Sequence, residues 1–244
     1  MNRWLGLGVA AVVAAVVARK MRKSRSTGGD QPCTADLGLR TIERLSPHAS
    51  GVDNLPLLVV LHSRGATPEG ASALHSALRE PARVLTPAAP GRLGDGYAWF
   101  EEHLGTKDQD ELAREIQRVG PVLAGFIREA MRCRPTQGRP VVTGSSQGGT
   151  MALYLASWYP GLISGAVAVN GWLPEQLWKT PMAPTVILSG TRDTTVDPDR
   201  TQAYALEMKR RGAPVEFATY DSGHSISADL GRAWKASVNE VMFA

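Results

Sequence analysis

Residues 144–148 read Gly-Ser-Ser-Gln-Gly, a GxSxG pattern centred on Ser146, between the apolar run Val141–Thr143 and a helix-like stretch at 147–158. At a sharp strand-to-helix turn such a serine is strained with its oxygen exposed, and the flanking glycines avoid clashes. A serine hydroxyl is a poor nucleophile near neutral pH; it needs a base, and the base needs an orienting carboxylate. Both types lie downstream. The run TVILSG leads into TRDTTVD, putting Asp193 just past a strand's carboxyl end, and VEFATY leads into DSGHS, putting His224 in a loop before the last helix. The chain order Ser146, Asp193, His224 is one in which serine triads occur. Asp197 is a rival carboxylate, but its place before Pro198 and Asp199 suits the N-terminal cap of the next helix. His62 is expected to brace a strand end rather than react, and His48, His75 and His103 are expected to be bystanders too.

These residues need a frame that brings three distant segments together. From about residue 38 the chain alternates short apolar runs with longer amphipathic stretches. Leu57–His62 is apolar throughout, as a strand buried on both faces should be. Further strands are expected at Arg83–Thr86, Val141–Thr143, Ala166–Asn170, Thr185–Ser189 and Val215–Tyr220, with helices near 70–80, 109–132, 147–158, 199–212 and 225–242. Within 109–132, Leu112, Ile116, Val119, Leu123, Phe126, Ile127 and Met131 recur at three- and four-residue intervals, one face of a helix, which Pro121 is expected to kink or divide. Alternation of this kind predicts a single α/β domain with a mainly parallel sheet and helices on both faces. In such sheets the loops at the strands' carboxyl ends form the site, so all three candidates can meet there. No long insertion interrupts the strands, so no large cap domain is expected.

Composition narrows the function classes. The 244 residues carry a net charge of +4, but Arg3, Arg19, Lys20, Arg22, Lys23 and Arg25 all precede residue 26 with no acid among them. The rest holds 21 basic and 23 acidic residues, which argues against a nucleic-acid-binding body. Two cysteines, Cys33 and Cys133, are too few for a disulfide framework or a thiolate zinc site, and they leave the redox compartment open. Trp4–Ala18 is an uncharged, mostly apolar run followed at once by RKMRKSR. As a helix it would span about 22 Å against a hydrocarbon core of about 30 Å, with flanking Arg and Lys able to snorkel. We read residues 1–25 as an N-terminal hydrophobic helix with a basic flank, 26–37 as a linker and 38–244 as the folded domain. Membrane association through residues 4–25 with the body on the cytoplasmic side follows from the flanking charge; export after signal cleavage is the alternative. The oligomeric state is left open.

The segment GSSQGGTMALYLA resembles the elbow of the phospholipase/carboxylesterase family of α/β-hydrolases, a group that includes acyl-protein thioesterases and small bacterial carboxylesterases. Other segments agree: LHSRGA is similar to the family's HGxG loop, TPAAP followed by AWF to its P-x-A-P…WF segment, NGWLP to its SG-aromatic-LP segment, and GTRDTTV to its G-x-x-D-x-x-V. The resemblance covers roughly residues 38–242. It implies an α/β-hydrolase fold and hydrolysis of small carboxylic esters or thioesters by Ser146, His224 and Asp193, with no metal or cofactor. It also implies that the backbone N–H groups of Arg64 and Gln147 form the oxyanion hole, and that Trp99, Phe100 and Trp172 lie near the site, where they could line an apolar slot or simply pack beneath the loops. Two departures stand out. Ser63 replaces the first glycine of the HGxG loop, and Asp197 stands where a proline often follows the valine. The same serine could serve a dienelactone-type hydrolase, a peptidase or an acyltransferase, and in a different class the fold could be a non-catalytic binding protein.

Overall fold

The computed structural model describes residues 37–49, 54–106 and 108–244. The apolar run, its basic flank and the linker through residue 36 lie outside the described residues. Among the described residues no helix is long and apolar enough to cross a membrane.

Nine strands form. β2 (Leu57–Leu61), β3 (Arg83–Pro87), β6 (Val141–Ser145), β7 (Gly165–Val169), β8 (Thr185–Gly190) and β9 (Val215–Tyr220) are mutually parallel. β1 (Thr41–Leu45) adds to the β3 edge antiparallel, giving a seven-stranded sheet in the order β1-β3-β2-β6-β7-β8-β9. A separate hairpin pairs β4 (Gly91–Leu93) with β5 (Gly96–Ala98). The helices are α1 (Pro68–Ser72), α2 (Gln109–Cys133), α3 (Gln147–Trp158), α4 (Pro198–Arg210) and α5 (Ala228–Phe243).

The all-apolar reading of β2 is explained by two cores. Leu57, Val59 and Leu61 face a cluster with Leu112, Ile116 and Leu123 of α2, Met151 and Leu155 of α3 and Tyr204 of α4. Leu58 and Val60 face the other way, into a cluster with Leu74, Leu78 and, from α5, Leu230 and Val238. Period-two alternation thus feeds two helical layers.

The structure differs from, or adds to, the sequence reading at four points. Pro121 does not divide the 109–133 helix, which runs unbroken. Gln117 and Pro121 both lie on its exposed side, where water can reach the carbonyl that the proline leaves without a donor. The helix expected near 70–80 is instead α1 followed by a 3-10 turn, Ala73–Ala77. There Ser72, His75 and Ser76 bond to the carbonyls of Glu69, Ser72 and Ala73, which competes with helix propagation. The strands β1, β4 and β5 were not expected at all. Cys133, the last residue of α2, is disulfide-bonded.

The chain leaves β2 to one side for β3 and returns to the other side for β6. The sheet's switch point therefore lies between β2 and β6, and the crevice outside their carboxyl ends is where an open α/β sheet places its site.

Candidate active site

Ser146 sits in that crevice, one residue past β6, as the N-cap of α3, with φ 55° and ψ −124°. A non-glycine residue there stores about 1–3 kcal/mol of backbone strain. The turn is held by its surroundings: the Ser146 N–H donates to the Val169 carbonyl at 2.9 Å and the Thr150 N–H to the Ser146 carbonyl at 2.9 Å. Glycine is required at two neighbours because backbone passes so near. A Cβ on Gly144 would lie 2.5 Å from the Leu61 carbonyl oxygen, and one on Gly148 would overlap that same oxygen.

Asp193 and His224 meet at the ends of β8 and β9. His224 Nδ1 lies 2.8 Å from Asp193 Oδ2, and the carboxylate is buried while the imidazole is one-third exposed. The other carboxylate oxygen accepts the N–H groups of Thr195 and Val196, both at 2.8 Å, so the acid is fixed before the histidine binds it. Asp197 takes no part. Its Oδ1 caps α4 by accepting from the Asp199 N–H at 2.9 Å, as expected from the following Pro198. Among the described residues no hydrogen bond joins Ser146 Oγ to His224 Nε2; the hydrogen-bonded Asp193–His224 pair and the strained serine are separate parts of one crevice.

On the β2 side, the loop at 62–66 is defined by His62. The Ala89 N–H donates to His62 Nε2 at 3.0 Å, so that nitrogen is unprotonated and Nδ1 carries the proton that goes to the Ser63 carbonyl at 2.8 Å. Burial lowers the His62 pKa, which keeps this neutral tautomer. The Ser63 carbonyl also accepts from the Ala66 N–H at 3.1 Å. Because C=O and N–H of a trans peptide point in opposite directions, the Arg64 N–H is aimed away from those donors. Among the described residues it has no backbone partner, nor has the Gln147 N–H, the first donor of α3. Two free N–H groups thus flank the crevice.

The Gln147 side chain works elsewhere: Oε1 accepts from the Trp99 N–H at 3.0 Å, and Nε2 donates to the Phe100 carbonyl at 2.7 Å. Trp99 stacks on His62 at 5.0 Å between centroids and donates from its indole to the His62 carbonyl at 2.8 Å. Trp99, Phe100 and Trp172 are each at most 3% exposed and pack in the core under the loops.

Sequence reasoning missed Asn170. It follows β7 with φ 48°, its Oδ1 accepts from the Gly190 N–H at 2.8 Å, and its Nδ2 donates to the His224 carbonyl at 3.4 Å. One buried amide therefore ties the loop carrying Asp193 to the loop carrying His224. The signal available was Asn-Gly closing an apolar run, since asparagine tolerates positive φ.

A sequence profile of the phospholipase/carboxylesterase family matches residues 49–240. The chain belongs to that family. Among curated relatives, Carboxylesterase SOBER1 of Arabidopsis thaliana is 33% identical over 97 residues, 35% of this chain and 41% of that protein. Probable carboxylesterase SOBER1-like of the same plant is 28% identical over 132 residues, 50% of this chain and 48% of that one. The chain thus spans about half the length, or less, of the curated relatives it matches. Solved structures agree on the fold. Esterase PE8 superposes with a TM-score of 0.72 at 22% identity, covering 83% of this chain and all of that one. Acyl-protein thioesterase 2 of Zea mays gives 0.65 at 23% identity, covering 83% of this chain and 99% of that one. The family's parallel sheet flanked by helices, the α/β-hydrolase fold, is the fold of this chain.

Proposed function

We propose that this family member is a serine hydrolase that cleaves small carboxylic esters or thioesters through an acyl-enzyme. The observation that carries the reading is the Asp193–His224 hydrogen bond in the crevice that also holds the strained Ser146. Ser146 Oγ attacks the acyl carbon while His224 Nε2 accepts its proton. The approach of substrate brings these two atoms into hydrogen-bond range, since such contacts tighten in the Michaelis complex. The tetrahedral oxygen receives the free N–H groups of Arg64 and Gln147. The histidine, now charged and steadied by Asp193, returns the proton to the departing alcohol or thiol. Water then attacks the acyl-serine by the same route in reverse. The buried rings of Trp99, Phe100 and Trp172 form the apolar floor beneath the acyl slot.

The test is a panel of p-nitrophenyl esters and thioesters of varied chain length, run beside peptide substrates on wild type and Ser146→Ala. Wild type should turn over esters or thioesters, and the variant should lose several orders of magnitude while melting as wild type does. Cleavage of peptides in preference to esters, or more than about a hundredth of wild-type turnover in the variant, overturns the reading.

A further inference from the structure

We propose that Ser63 and Ser145 form a hydroxyl latch that sets the oxyanion donors, making both of them positioning residues; this rests on the serine-hydrolase reading above. Ser63 Oγ lies 3.2 Å from the Ser145 carbonyl oxygen and 2.7 Å from Ser145 Oγ. A carbonyl only accepts, so the one hydroxyl proton of Ser63 goes to it, and the Ser145 hydroxyl donates to Ser63 Oγ. Both hydroxyl protons are then used in two reciprocal bonds.

The latch sits where the main chain stops doing this job. The β2–β6 ladder ends at Leu61↔Gly144, and beyond it the two chains diverge, one into the 62–66 loop and the other into the elbow. The serine pair spans that opening with side chains. Ser63 is not among the positive-φ residues, so its position does not demand glycine, and the side chain is free to serve as a tether. Its carbonyl is already held by His62 Nδ1 and the Ala66 N–H. With the hydroxyl fixed to Ser145 as well, the Ser63 end of the Ser63–Arg64 peptide is held through both its carbonyl and its side chain. Arg64 directly follows Ser63, and Ser145 directly precedes the nucleophile, with Gln147 next after it. The latch therefore fixes the distance between the two N–H donors, and oxyanion stabilisation depends on donors already in place when charge develops.

The chemistry of the pair makes an asymmetric prediction. Ser63→Ala removes both bonds, whereas Ser145→Ala leaves Ser63 free to donate to the Ser145 carbonyl. Measured with p-nitrophenyl esters, Ser63→Ala should lower kcat by roughly three- to tenfold, the worth of a hydrogen bond or two, with KM nearly unchanged. Ser145→Ala should lose less, and the double variant should lose no more than Ser63→Ala alone. Affinity for an alkyl boronic acid, which becomes tetrahedral on the serine, should fall by the same factor as kcat/KM. Ser63→Thr, which keeps the hydroxyl, should recover most of the loss. Wild-type kcat in Ser63→Ala, losses that multiply in the double variant, or unchanged boronate affinity beside a lowered kcat would each overturn the latch. If Ser63→Ala fails to fold, the boronate and kcat comparison on Ser145→Ala decides in its place. Turnover surviving in Ser146→Ala sinks the hydrolase reading itself, whereas a dead Ser146→Ala beside a fully active Ser63→Ala sinks only the latch.

Discussion

At the residue scale, Asp193 and Asp197 lie four positions apart with opposite environments. Asp193 is buried and spends its oxygens on two backbone donors and His224; Asp197 is half exposed and closes the first turn of a helix. Asp193→Asn should therefore cost roughly a hundredfold or more in kcat, because the amide can donate to His224 and favours the wrong tautomer. Asp197→Asn still caps the helix and should leave turnover within about twofold and the melting temperature nearly unchanged. Steady-state kinetics on the two variants checks the assignment, and the reverse ranking would move the acid to Asp197. His62 gives a second contrast. Its folded-state pKa is depressed by burial, so protonation favours the unfolded chain. The stability that depends on neutral His62 is complete above the unfolded value of about 6.5 and is lost as pH falls through the lower folded value. Thermal melts at stepped pH should show wild type weakening on acidification below about pH 6.5, and His62→Gln showing a shallower slope there. Equal slopes would mean that His62 titrates as it does in the unfolded chain.

At the scale of elements, the packing of α2 on α3 depends on one missing side chain. A Cβ on Gly120 would overlap the ring of Tyr154, whose neighbours Trp158 and Tyr159 leave it little room to turn, and whose burial raises its pKa to about 12. Gly120→Ala gains helix propensity yet should still lose about 1–3 kcal/mol, read as a lower denaturation midpoint, because overpacking against a fixed ring outweighs propensity. An unchanged midpoint would show that α2 can shift. This is also where the legibility of the chain divides. The central parallel strands β2, β6, β7 and β8 were readable because each is a short, mostly buried and apolar run, and the elbow was readable because its glycines are demanded by the Leu61 carbonyl. β1 was not, because TIERL is an exposed edge strand whose only reason to be extended is pairing with β3, a contact distant in sequence. The Asp193 and His224 positions were legible as residues following strands. The roles of Asn170, Ser145 and the Gln147 amide were not, because each depends on which loops the fold brings side by side.

At the scale of the whole molecule, the residues of the crevice and the segment we propose as an address occupy separate stretches. The crevice is built from residues 62 onward, whereas residues 1–25 hold an apolar run and six basic residues with no acid. An apolar run of that length beside basic residues gains from anionic headgroups, about 1 kcal/mol for each nearby Lys or Arg. The full chain is therefore expected to sediment with membranes, while a chain starting at Asp30 should stay soluble and keep its turnover on small soluble esters. If the chain is anchored as proposed, two features point to opposite sides of the membrane for the body. Five basic residues after the apolar run favour retention in the cytoplasm, whereas the disulfide at Cys133 needs an oxidising compartment to persist. The charge block acts during insertion and the disulfide forms only afterwards, so the charge should decide the side. Protease added to intact cells should then spare the body. Digestion of the body from outside, or a mature chain beginning at Arg19, would instead place the hydrolase beyond the membrane with its disulfide intact. Recovery of the full chain wholly in the soluble fraction would remove the anchor, and loss of turnover in the shortened chain would make the N-terminal segment part of the catalyst's support.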